Sequence, residues 1–189
     1  SAAFISAMTA AMQVMDAKNL GRRQRMEEMA QYLAFKKVPH TIVAKILDFY
    51  EYYDSVFQRA GEFATLPFDL AMNLNVHLYK ELLRKCPVFY NISTAAMLQL
   101  LSEMRMSVAT PYQIIVREGQ PNHNLYFIHR GHVRVWKDFD EDTSRRLLVT
   151  LTIGDFFGEG TLLEHLDGRK GLATATVECA SFVELLTLT

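Results

Sequence analysis

The stretch GDFFGEGTLLEHLDGRKGLATATV, residues 154–177, reads as a strand, a tight turn, a short helix, a loop and a returning strand. Gly158 and Gly160 leave room for backbone to approach a bound group, and the amides opening the helix near Gly160 and Thr161 can face an anion. Glu159, between the glycines, is an acceptor-only carboxylate suited to a sugar hydroxyl. Such a turn fits a small, anionic, hydroxyl-bearing ligand. The returning strand, Leu172 to Val177, carries no basic residue to meet the anion. Taken alone, the motif is equally well a bare surface turn with an exposed glutamate.

On either side of this stretch the hydrophobic period is two. SVATPYQIIVREGQ, HNLYFIHRGHVRVWKDF, SRRLLVTLTIGDFFGE and LATATVECASFVELLTLT alternate apolar and polar residues, with Pro111, Gly119 and Gly131 as punctuation. They predict about eight short strands, interrupted by one helical turn near residues 161–165. Before Met106 the spacing is helical instead. Met26, Met29 and Leu33 share a face, with Glu27, Glu28 and Gln31 turned away. Pro39 is expected at a first helical position, followed by Ile42, Ile46 and Phe49 at helical spacing. Pro67 opens a further helix whose stripe is expected to be Leu70, Leu74 and Leu78. Ser93 can cap the helix that follows, its hydroxyl taking an orphan N–H of the first turn. Helices followed by strands predict an α+β fold, the strands forming a sandwich or roll.

The chain has 189 residues, half of them hydrophobic, enough to bury a sizeable core. Twenty basic and 21 acidic side chains leave a formal charge of −1, which argues against a nucleic-acid polymer as partner. No run reaches the roughly 18 apolar residues of a membrane span. The Ala/Met-rich start lacks the basic leader of a signal peptide and looks like a helix that begins in something longer.

Catalytic chemistry finds little footing. There is no G-x-S-x-G, and Cys86 stands beside Pro87 in an apolar setting. Cys86 and Cys179 fit no metal spacing and read as two buried, reduced thiols. His123, His129 and His132 cluster around a strand hairpin, but a spacing of three puts His129 and His132 on opposite faces. They read as solvated turn histidines rather than a metal site. The basic clusters GRRQR and FKK read as solvated helix faces or as ion-pair contacts with a neighbouring subunit. Met26, Met29, Phe35, Tyr52 and Tyr53 are expected mainly in intramolecular core.

In order, YQIIVREGQPNHNLYFIHRGHVRV, GDFFGEGTLLE and TATV resemble the β-roll of cyclic-nucleotide-binding domains. Upstream, MAQYLAFKKVPHTIVAKILDFYEYY and LPFDLAMNLNVHLYKELLRKCPVF look like the helical C-linker of tetrameric cation channels of the cyclic-nucleotide-gated, hyperpolarization-activated and ether-a-go-go types. The resemblance implies a C-linker over residues 1–85 and an eight-stranded antiparallel, jelly-roll-like β-roll over residues 86–189. It implies cAMP or cGMP as ligand without a metal, and contacts from Phe157, Gly158, Glu159, Gly160, Thr161, Ala173 and Thr174. It implies a homo- or heterotetramer formed through the C-linker, a transmembrane pore domain in the same polypeptide, and a place at the cytoplasmic face of a membrane. The module is expected to regulate gating and not to be an enzyme.

The sequence departs from the family in two ways. Members that bind ligand place an Arg immediately before the Thr-Ala of the returning strand, where this chain has Ala173; Arg169 and Lys170 lie on the preceding loop. The family's lid helix has no counterpart after the last strand, so an open pocket and weak binding are expected. The rival expectation is a roll without ligand, its pocket filled by its own residues and serving as an interaction module.

Overall fold

The structure, a computed structural model, describes residues 20–61, 65–139, 142–166, 168 and 171–189. Arg169 and Lys170, and the Ala/Met-rich start, lie outside them. Packing divides the chain into two units that meet after Phe57.

The first unit holds α1, described over residues 20–35, and most of α2, His40–Gly61. Met26, Met29 and Leu33 are the half-buried face of α1, as their spacing predicts. Phe35 departs from the expectation: it is exposed, with the Lys36 ammonium over its ring. Pro39 stands one residue before α2, and its carbonyl accepts from the Ile42 and Val43 amides. Ile46 and Phe49 are half-buried but Ile42 is exposed. Tyr52 and Tyr53 are half-buried, and Phe49 packs on Tyr53 with ring centres 5.5 Å apart.

The second unit opens with α3, Phe68–Arg84, then a 3₁₀ turn at Pro87–Phe89 and α4, Thr94–Glu103. Ser93 caps α4, its Oγ accepting from the Ala96 amide at 3.2 Å. The expected stripe on α3 fails at two of its three residues, Leu74 alone being half-buried. Leu70 and Leu78 are 55% and 51% exposed, whereas Met72, Val76, Tyr79 and Leu83 face the core. Both sets have helical spacing, and only the second finds a sheet to lie on.

Eight strands follow: β1 Arg105–Ala109, β2 Ile114–Val116, β3 Leu125–Arg130, β4 Val133–Phe139, β5 Asp142–Leu151, β6 Phe156–Phe157, β7 Thr176–Cys179 and β8 Val183–Leu188. Among the described residues a single helix, α5 (Glu159–Leu166), interrupts them. All pairings are antiparallel, in two four-stranded sheets ordered β1-β8-β3-β6 and β2-β7-β4-β5. This is the α+β roll that the strand count predicts. Gly131 turns β3 into β4 at φ +88°, where an added Cβ would run into the Phe182 carbonyl.

The first sheet has two apolar faces. Tyr126, Ile128, Val183 and Leu185 point into the roll, with Val116, Val133, Phe157, Ala173 and Val177. Leu125, Phe127, Leu186 and Leu188 point the other way, onto Leu83, Phe89, Met97 and Leu101 of the helices. Period-two strands thus wall two cores at once. Both cysteines are buried free thiols, Cys86 in the helical core and Cys179 in the roll. Burial pushes the Cys179 thiol up to about 12, with the Glu178 charge adding to it.

Candidate functional site

A cavity of about 340 Å³ opens between β6–α5, the returning segment 172–177, and the inner faces of β2, β4 and β5. Phe157, Gly158, Glu159, Gly160, Thr161, Ala173 and Thr174, expected at the site from the sequence, all line it. Two separate segments bring them together.

The first segment is the turn into α5. Gly158 has φ +96°, and a Cβ there would collide with the Asn124 carbonyl and come within 3.0 Å of the Asn122 amide nitrogen. Its freedom therefore serves the close packing of this turn against residues 122–124, beside the cavity it also lines. Gly160 is different: it is exposed, with open space where a Cβ would stand. The Thr161 hydroxyl donates to the Gly158 carbonyl at 2.8 Å and accepts from Asn122 Nδ2 at 3.0 Å. That side chain is spent on holding the turn. Glu159, half-buried in the first turn of α5, is left as the carboxylate at the cavity wall.

The second segment is the return. The Ala173 amide donates to the Gln120 carbonyl at 2.9 Å, and its carbonyl accepts from Gly119 at 2.8 Å. The backbone is pinned and the small side chain, 5% exposed, faces the cavity. Thr174 is exposed, and its carbonyl accepts from Lys137 Nζ at 2.9 Å. The same ammonium holds the Glu118 carboxylate. Lys137 is thus a cation near the return, tied to a carboxylate and outside the cavity lining. Among the described lining residues there are two carboxylates, Glu159 and Glu164, and no basic side chain.

Sequence reading missed Asn122, Glu164 and the apolar wall of Val116, Val135, Leu151 and Val177. Asn122 is buried, with Nδ2 donating to the Asn124 carbonyl at 2.8 Å. An Asn following Pro121 ahead of a strand is a turn signal that could have drawn attention to it. Glu164 lies four residues after Gly160, hence on the same helix face. The wall residues come from β2, β4, β5 and β7, and nothing local in the sequence joins them.

The histidines do not form a site. His129 is half-buried rather than solvated: its ring meets Tyr79 edge-on at 5.6 Å, and Nε2 is 3.9 Å from the Glu184 carboxylate. Burial, together with Glu184, raises the Tyr79 hydroxyl above its usual range. His132 is exposed beside Ser181. Among the described residues, no three His, Cys, Asp or Glu side chains come together as a metal-binding group.

An antiparallel roll, a glycine–glutamate–glycine turn into a short helix and a pocket between that helix and a returning strand define a cyclic-nucleotide-binding type of domain. Residues 108–189 match the family model described as "Cyclic nucleotide-binding domain", the part of the chain that forms the roll. The chain is 28% identical over 189 residues to potassium/sodium hyperpolarization-activated cyclic nucleotide-gated channel 1 of Rattus norvegicus. That alignment covers 99% of this chain and 20% of the channel. It is equally 28% identical to channel 4 of the same name from Homo sapiens, covering 15% of that protein. The chain therefore spans a fifth or less of the curated relatives it matches. No helix among the described residues is long and apolar enough to cross a membrane.

Proposed function

We propose that this chain is the cytoplasmic regulatory module of a cation-channel subunit, coupling weak cyclic-nucleotide binding in the roll to gating of a pore in the same polypeptide. Residues 1–85 act as the C-linker that assembles a homo- or heterotetramer, and residues 86–189 as the ligand-binding roll. The ligand is cAMP or cGMP, the module is non-enzymatic, and it works at the cytoplasmic face of a membrane. The observation that carries this reading is the convergence of all seven expected site residues on one open cavity. Matches to channels along 99% of the chain, helices included, support it.

Mechanically, the ligand would bear on the β6–α5 turn and the return. Phe156 and Phe157 are neighbours in β6 that pack into opposite cores, Phe156 against the helical one. A shift of β6 would reach both cores, and the ligand would move gating only by its differential affinity for the two states.

The test is a chimera in which this chain replaces the matching region of a hyperpolarization-activated relative. Functional channels whose opening voltage shifts with millimolar cAMP or cGMP support the proposal. Functional channels with no shift would sink the ligand half of it. They would favour the second reading, a ligand-independent interaction module, which the absence of a cation at Ala173 supports. The open volume of about 340 Å³ favours the first.

A further inference from the structure

We infer that the cavity prefers an uncharged nucleoside to the corresponding cyclic nucleotide. This rests on the reading of the cavity as a ligand pocket that takes cAMP or cGMP weakly, and ranks an uncharged ligand above them. Three features of the lining carry it: where the carboxylates are, where the cations are not, and what the wall is made of.

Glu159 and Glu164 both stand on α5, half-buried, at the polar side of the cavity. A carboxylate only accepts hydrogen bonds, so it asks its ligand for donors. A nucleoside offers three ribose hydroxyls. A 3′,5′-cyclic nucleotide has two of those oxygens tied up in the phosphate ester and offers one. In place of the other two it presents an anion to two like charges.

That anion would meet no cationic side chain among the described lining residues, only the backbone amides that open α5, and a charge without an opposite charge is costly to desolvate. Ala173 supplies a methyl group at the return, and Lys137 is engaged by Glu118 and the Thr174 carbonyl. The strand part of the lining, Val116, Val135, Leu151 and Val177, is apolar and suits the flat face of a base. A volume of about 340 Å³ is at the scale of small-ligand pockets.

The test is calorimetric titration of the whole chain with adenosine, guanosine, cAMP and cGMP, at about 50 mM and about 500 mM salt, where screening lengths differ severalfold. The expected result is a nucleoside affinity at least about tenfold above that of its cyclic nucleotide at low salt, the gap narrowing at high salt as repulsion is screened. Glu164→Gln should raise cyclic-nucleotide affinity roughly fivefold, the effect of removing one like charge near a partly solvated anion. A cyclic nucleotide that binds as tightly as its nucleoside, or tighter, overturns the inference and leaves the pocket reading standing, with Arg169 and Lys170 as the cations to test. If none of the four binds, both fall.

Discussion

Replacing Ala173 with Arg tests where the pocket is deficient. The backbone of residue 173 is held on both sides by hydrogen bonds to Gly119 and Gln120, so the substitution should leave the return in place. Ala173 belongs to the roll's core but also lines the cavity of about 340 Å³, which gives the longer side chain a volume to extend into. There a guanidinium can grip a cyclic phosphate through two parallel hydrogen bonds. Hydrogen bonds to charged groups contribute roughly 1.5–3 kcal/mol each. Even one such bond corresponds to about a 10- to 150-fold gain in affinity. The carboxylates of Glu159 and Glu164 would compete for the new cation in the empty pocket, which argues for the lower part of that range. Titration calorimetry of wild type and Ala173→Arg with cAMP and cGMP reads the gain, with circular dichroism and a thermal melt to confirm the fold. Adenosine is the control, since an uncharged ligand should gain little. Glu159→Ala in the Ala173→Arg background should reverse much of the improvement. A folded Ala173→Arg protein with wild-type affinity would refute the reasoning and favour the ligand-independent reading. Sub-micromolar cyclic-nucleotide binding by the wild type would show that Ala173 is no deficit.

Gly158→Ala should lower stability by roughly 1–3 kcal/mol, because φ +96° strains any side chain and the Asn124 carbonyl blocks the new Cβ; an unchanged denaturant midpoint would contradict the assigned packing. The Cys179 thiol should resist thiol reagents in the native state, since burial holds it at about 12 against an ordinary 9.0. The sign follows: the fold favours the neutral thiol, so its contribution is intact below about pH 9 and is lost towards pH 12, by about 1.4 kcal/mol per pH unit. Melts of Cys179→Ala across that window should show a shallower fall than wild type. Self-association should depend on concentration and be led by the amphipathic helices. Sedimentation of the whole chain should therefore differ from that of a chain beginning at Gln58, a cut that spares the Leu83 core where one near Arg84 would not; if both stay monomeric, the contact surface is wrong.

What was legible in the sequence was local. The change of period near Met106 separates helices from strands because alternation along one strand depends only on that strand. The glycine–glutamate–glycine turn at 158–160, with Thr161, was readable because it is contiguous, whereas Phe157, Ala173 and Thr174 were expected only through the resemblance. The face of α3 was not, since Leu70-Leu74-Leu78 and Met72-Val76-Tyr79-Leu83 both satisfy helical spacing. Which set is buried depends on β3 and β8, far along the chain. The apolar wall was hidden for the same reason: Val116, Val135, Leu151 and Val177 meet only after the pairings of β2 with β7 and of β4 with β5 and β7. Gly158 was legible as a point of close approach, and the structure adds the Asn124 carbonyl as one group that lies against it. A glycine in such a turn signals a close approach, but sequence cannot say whether a ligand or the Asn124 carbonyl is approaching.

The sheet that separates the two cores gives the pocket a physical route to α3. Along β3 the odd residues Leu125, Phe127 and His129 face the helices, while Tyr126 and Ile128 face the roll. Tyr126 stacks on Phe157 of the cavity wall with ring centres 4.9 Å apart, and Phe127 meets Phe89 of the 3₁₀ turn at 6.4 Å. One residue on, the buried Glu184 carboxylate of β8 lies on the helical side, 3.9 Å from Arg130 and His129 and near enough to Tyr79 to raise its hydroxyl. A strand this well packed on both faces cannot yield on one side alone, because close-packed interiors transmit strain. A ligand that tightened the turn at Glu159 would therefore bear on the wall that α3 rests against. Contact by itself is only a candidate path. The physical warrant would be coupling: Tyr126→Ala should weaken the effect of the pocket on α3, read by hydrogen exchange along residues 72–83 with and without ligand. Unchanged protection of α3 by ligand in that variant would mean that the signal, if any, travels another way.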